Sequence, residues 1–343
     1  MRYEEMLNYR GVIQKPETFD LFWKEAVEAS RADGDIYYLK PVESQEEGIE
    51  CFHLTFMGVE NAKIFCLFAR PASAAMPLPG VCFFHGYCGS RPNVSAEKDF
   101  EELLPFARAG FAVIGMKVRG QWKESEDPHR NFGFEFPHLF LKGILSGKKE
   151  DSYCRGIYTD AAKCARILMK IDGVDSARVS VVGFSQGGDL CAACAALEPK
   201  IYRIIMGGIG FADCGRHVRE RRFAYASAAF AVSFQQYFAQ CDPECITQEK
   251  LIYGMAIYDL LLFAPKISAP VIYCVGLQDN ICPFAGQMAV YNRLECSKQL
   301  VIWHEGVHRL HPEFLGDMPK ILKADDFCYQ ENGIQTFDSI VHR

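Results

Sequence analysis

The sequence has no excess of positive charge: 37 Lys and Arg stand against 43 Asp and Glu, a net charge of −6. A nucleic-acid partner selects for a basic face, so the charge balance argues against that class of function. No apolar run reaches the length of a membrane span, and Met1-Arg2-Tyr3-Glu4-Glu5 leads into a polar segment where a secretory leader would be apolar. No membrane association and a cytoplasmic location are therefore expected. Repeats, linkers and low-complexity tracts are missing as well. The proline-rich stretch 71–79 is too short to separate domains and reads as a turn between strands. Cys191 and Cys194 have the spacing of a metal or redox pair but no matching second pair, which argues against a metal centre.

What the sequence does have is apolar residues in quantity, 49% over 343 positions, enough for one large core and a single domain spanning 1–343. Its fifteen cysteines are an odd and high number. Without a secretory leader they are expected to be reduced thiols, and Cys66, Cys82, Cys191, Cys194 and Cys274 lie on apolar segments where cysteine serves as a small hydrophobe. An amino-terminal helical arm is expected over 19–30, then a hairpin pairing 50–57 with 63–69. Strands near Val81, Phe111, Val179, Ile204, Val271 and Leu300 alternate with helices near Asp99, Thr159, Asp189, Ala285 and Pro312. This alternation specifies an α/β fold, a mostly parallel sheet covered on both faces. An insertion at 211–263 carries Phe223, Tyr225, Phe230, Phe234, Tyr237 and Phe238, expected to be helices packed on the sheet.

The chemistry is concentrated at Gly183-Phe184-Ser185-Gln186-Gly187, which follows an apolar strand and opens a helix. A serine hydroxyl becomes a useful nucleophile when a tight strand-to-helix turn lifts it clear of the sheet, and Gly183 and Gly187 stand where a Cβ would collide with neighbouring elements. Downstream, Asp279 follows the strand 271–275, and two histidines, His304 and His308, follow the strand 299–303. The order Ser, acid, His is that of α/β-hydrolases. Either histidine can serve as base in this order. Upstream, His85-Gly86-Tyr87-Cys88-Gly89-Ser90 ends a strand at the position from which one oxyanion amide comes, that of Tyr87; the second belongs to Gln186. Both donors are backbone groups, and His85 is expected to fix its loop rather than move protons.

Arg119-Gly120-Gln121, the Gly-x-Ser-Gln-Gly elbow with Gly188, Gly276-Leu277-Gln278-Asp279-Asn280 and the closing histidine cluster together resemble carbohydrate esterase family seven, the acetyl xylan esterases and cephalosporin C deacetylases. The resemblance runs nearly end to end, from Phe19-Asp20-Leu21-Phe22-Trp23 through the hairpin around Gly58 to Tyr158-Thr159-Asp160, read as the opening of the helix before the nucleophile strand. It implies an α/β-hydrolase that deacetylates small O-acetylated molecules, among them short acetylated xylo-oligosaccharides and cephalosporin C. It further implies no metal or other cofactor, and a homo-oligomer, a hexamer built as a trimer of dimers.

By the same resemblance Ser185 is the nucleophile, Asp279 the orienting acid, the amides of Tyr87 and Gln186 the oxyanion hole, and Arg119 and Gln121 braces of the elbow and its neighbouring loops. The proline and phenylalanine at Pro312 and Phe314 keep their family offsets only when counted from His308, which makes His308 the base. His304 also abuts its strand and has little loop in which to reach back. Two positions depart from the family pattern: Arg309 replaces a glutamate, and Cys282-Pro283-Phe284 keeps one proline of two. Both bear on substrate preference, with Phe284 expected to reshape the wall of the site. Other readings of the same residues are a peptidase, an acyltransferase or a non-catalytic scaffold.

Overall fold

The strand-forming runs pair edge to edge through backbone hydrogen bonds, the central ones buried on both faces. In the computed structural model, which describes residues 2–44, 46–88, 94–128, 141, 143–144, 147–220, 228–329 and 335–339, they form one ten-stranded sheet. The chain enters through helices α1 (Tyr3–Leu7) and α2 (Phe19–Arg31). Three antiparallel strands follow, β1 (Tyr37–Val42), β2 (Ile49–Met57) and β3 (Lys63–Pro71). Next come β4 (Leu78–Phe84), α3 (Leu104–Arg108), β5 (Ala112–Lys117), α4 (Tyr153–Leu168), β6 (Val174–Phe184), α5 (Gln186–Leu197) and β7 (Ile204–Gly207). The insertion supplies α6 (Cys214–Arg219), α7 (Ala228–Gln240) and α8 (Gln248–Met255). The chain then runs through β8 (Val271–Gly276), α9 (Phe284–Arg293), β9 (Lys298–Trp303), α10 (Pro312–Lys323) and β10 (Gln335–Ser339).

The strand order is β1-β2-β3-β5-β4-β6-β7-β8-β9-β10. From β5 to β9 every neighbouring pair is parallel, while β10 returns antiparallel beside β9. Alternation along each strand sends side chains into two cores. Cys82, Phe84, Val181, Tyr273 and Val275 face the larger one, shared with α2, α4, α5 and α9; Val81, Val182, Ile272 and Cys274 face the smaller, shared with α3 and α10. This is the α/β-hydrolase arrangement. It places the carboxyl ends of β4, β6, β8 and β9, and the loops after them, along one edge of the sheet.

Two expected boundaries move. Tyr158-Thr159-Asp160 does not open a helix; α4 already starts at Tyr153, and Asp160 lies fully buried in its middle. A Thr-Asp pair resembles a helix start in sequence, but here the acid faces inward to meet Arg119. The helix expected near Asp99 begins at Leu104, with Pro105 in its first turn, where the missing N–H costs nothing. Asp99 is instead the acceptor of Lys117 Nζ at 2.6 Å. Within the insertion, Phe234 and Phe238 are buried in the larger core and Tyr237 packs against it. Phe223 and Tyr225 lie outside the described residues, as do Gly89, Ser90 and the side chain of Phe230.

Candidate active site

Ser185 sits between β6 and α5 with φ 60° and ψ −129°, a backbone conformation that an L residue adopts only under constraint. Its amide still donates to Gly207 O of β7 at 3.0 Å, which ties the turn to the end of the sheet. Neighbouring glycines make this possible. A Cβ on Gly187 would stand 2.0 Å from Phe84 O, and one on Gly183 2.4 Å from Gly187 O, so the crossing of β4, β6 and α5 admits no side chain at either position.

The loop after β9 carries His308 back over this turn. Its Nε2 lies 2.8 Å from Ser185 Oγ and its Nδ1 2.9 Å from Asp279 Oδ2. The Phe184 ring packs at 5.1 Å against the imidazole. Asp279, its side chain fully buried, is held from both oxygens: Oδ1 accepts the amides of Ile281 (2.9 Å) and Cys282 (2.8 Å), and Oδ2 accepts Gln287 Nε2 at 3.2 Å besides the histidine. Gln287 had no signal in the sequence; it lies on α9 with no exposed surface and also donates to Cys282 O at 2.6 Å. His304 is exposed and does not share these contacts with Ser185 and Asp279.

A small cavity of about 30 Å³ opens beside Ser185. Tyr87, Ser185 and Gln186 line one end; Cys154, Ile157, Tyr158, Phe211 and Cys282 line much of the rest. Gln186 is the first residue of α5, where helical amides have no partner within the helix and point outward. Its side chain is braced: Gln121 Nε2 donates to Gln186 Oε1 and to Tyr153 Oη, each at 3.0 Å, and Tyr153 Oη donates to Arg119 O at 2.9 Å. Gln121 Oε1 in turn accepts the amide of Cys88, the residue after Tyr87, at 3.4 Å. Gln121 thus ties the two expected oxyanion donors to one support.

Arg119 works at a distance from the elbow. Its guanidinium, 1% exposed, donates to both oxygens of Asp160 at 2.7 and 2.8 Å and to Val59 O in the β2–β3 turn. Burial pushes the Asp160 carboxyl up, and Arg119 pulls it back. Room for the pair comes from Gly58 and Gly156, whose added Cβ atoms would stand 2.2 Å from Asp160 Oδ1 and 2.7 Å from Arg119 Nη1. His85 is occupied structurally: Nε2 accepts from Val118 N (3.1 Å) and Trp122 Nε1 (3.0 Å), which leaves Nδ1 to donate to Gly86 O at 2.7 Å. Phe284 does not reshape the cavity as expected. As the first residue of α9 it stacks on the Tyr3 ring at 5.8 Å, and Cys282, two residues earlier, lines the cavity.

The sequence model of the acetyl xylan esterase (AXE1) family matches residues 1–323. The chain belongs to that family. Two solved structures of similar chains have the same architecture. Acetyl xylan esterase 1 from Thermoanaerobacterium sp. JW/SL YS485 is 30% identical, with a TM-score of 0.83 over 93% of this chain and 97% of its own. The acetyl xylan esterase from Paenibacillus sp. R4 is 25% identical, with a TM-score of 0.83 over 94% and 99%. The acetyl esterase Axe7A of Xylanibacter ruminicola is 23% identical over 84% of this acetyl xylan esterase family member, which spans 62% of that relative's length.

Proposed function

We propose that this family member is a serine esterase that removes acetyl groups from small O-acetylated carbohydrates through an acetyl-Ser185 intermediate. The observation that carries the reading is the unbroken hydrogen-bonded line from Ser185 Oγ through both nitrogens of His308 to Asp279, standing at a small cavity. His308 Nε2 takes the serine proton as Oγ attacks the acetyl carbon; Asp279 fixes the tautomer and stabilises the imidazolium that forms. The amides of Tyr87 and Gln186 receive the developing oxyanion, each contributing on the order of 3 kcal/mol. The alcohol leaves with the proton from His308, and water, activated by the same base, releases acetate.

Short acetylated xylo-oligosaccharides and cephalosporin C-like acetates are the substrates proposed, with neither metal nor cofactor taking part. We place the enzyme in the cytoplasm as a homo-oligomer, a hexamer, a reading supported by the exposed apolar side chains of Val12, Leu21, Ile36 and Tyr38 near the amino terminus. Because one methylene in an apolar pocket is worth ~1–3 kcal/mol, acetyl esters should outpace butyryl esters of the same alcohol by at least ~10-fold in kcat/KM. Equal turnover of the two across an ester panel would contradict a short acyl site.

A further inference from the structure

One wall of the cavity is not apolar. Asp189 lies one helical turn after Ser185 on α5, its amide bonded to Ser185 O at 3.0 Å, and its carboxylate lines the same cavity as the serine. Only one of its oxygens is engaged: Oδ1 accepts the amides of Gly210 (2.9 Å) and Phe211 (3.2 Å). Oδ2 has no hydrogen-bond partner among the described residues. Gly210 leaves space in front of it, since an added Cβ there would stand 3.7 Å from Oδ2 and 3.2 Å from Cys282 Sγ.

That oxygen keeps access to the cavity, and a ligand hydroxyl that donates to it takes the place of water there. From this geometry, and resting on the esterase reading above, we propose that Asp189 is a specificity residue. It selects short acyl groups that carry a hydroxyl on the carbon next to the carbonyl, the hydroxyacetyl (glycolyl) esters, over plain acyl groups of equal size. The reaction balances as for acetate: Ser185 Oγ bonds to the acyl carbon, the bond to the alcohol oxygen breaks, His308 passes the serine proton to that alcohol, and water then releases glycolate. The substrate hydroxyl donates to Asp189 Oδ2 throughout and is unchanged. Burial holds the Asp189 carboxyl up at about 7, with Asp259 adding to the rise, and a neutral hydroxyl can donate to Oδ2 without itself carrying a charge into the cavity. An ammonium in place of the hydroxyl would bring its own desolvation cost among Cys154, Ile157, Tyr158 and Phe211.

The test compares phenyl glycolate with phenyl propionate, which replaces the hydroxyl by a methyl of similar size, and with phenyl acetate and phenyl glycinate. Each kcat/KM is divided by the ester's own alkaline hydrolysis rate to remove intrinsic reactivity. The wild-type enzyme should favour glycolyl over propionyl by about tenfold or more, and Asp189→Ala should lose that preference while still hydrolysing acetate; Asp189→Asn should keep part of it. The wild-type comparison stands even if a variant does not fold. A glycolyl preference below about threefold, or glycinate favoured over glycolate, overturns the proposal and leaves the esterase reading in place if acetate is hydrolysed. No turnover of any of the four esters overturns both.

Discussion

His308→Ala should lower kcat on an acetate ester by at least ~10³-fold, as removal of a triad base does, whereas His304→Ala should stay within about tenfold of the wild type. The two histidines are four residues apart in one loop, yet only His308 has one ring nitrogen on Ser185 Oγ and the other on Asp279. Without its imidazole the serine proton has no acceptor and the leaving alkoxide no donor, so both halves of the reaction slow. The loss should fall on kcat, with KM little changed, because His308 acts on the reacting atoms. Steady-state kinetics on the two purified variants checks this. The opposite pattern would move the base to His304 and break the link between the geometry and the chemistry.

Asp160→Ala should destabilise the protein by about 3 kcal/mol, since it removes both short carboxylate contacts of the buried Arg119 guanidinium and leaves it a long one, to Glu60 at 3.9 Å. Arg119→Ala should cost a similar amount, and the double variant should cost clearly less than the sum. Both groups are 1% exposed and packed at a distance from the main chain that only glycine permits at 58 and 156, so water has little access to whichever partner remains. Activity should fall with stability, because the Arg119 carbonyl anchors Tyr153, which holds Gln121 and through it Gln186. Thermal unfolding of the three variants reads the cycle. Additive losses would mean that the pair does not act as a unit.

Much of this was legible in the sequence because the elbow, the acid loop and the histidine loop each follow an apolar strand, and the strand ends fix where their side chains meet. Gly183 and Gly187 were legible for a related reason: a turn that tight has no other residue to use. What escaped were polar residues placed by helices rather than by motifs. Gln287, Tyr153 and Asp189 carry no local signature, and their partners lie in other elements or across the cavity. Asp160 was seen but misread, since a Thr-Asp pair marks a helix start when it faces solvent and a buried ion pair when it faces in. Strand β1 was missed because as an edge strand it buries little and contains Pro41, which weakens the period-two pattern.

The central claim is that Ser185 forms the covalent intermediate. The most direct measurement is peptide mass spectrometry after reaction with a serine-directed phosphonate, alongside rapid quenching of the enzyme with an activated acetate ester. A single modification on the peptide carrying Ser185, prevented by Ser185→Ala, together with a pre-steady-state burst of alcohol equal to the enzyme concentration when deacetylation is the slower step, is the predicted result. Labelling at another residue, or full activity in Ser185→Ala, would contradict the account.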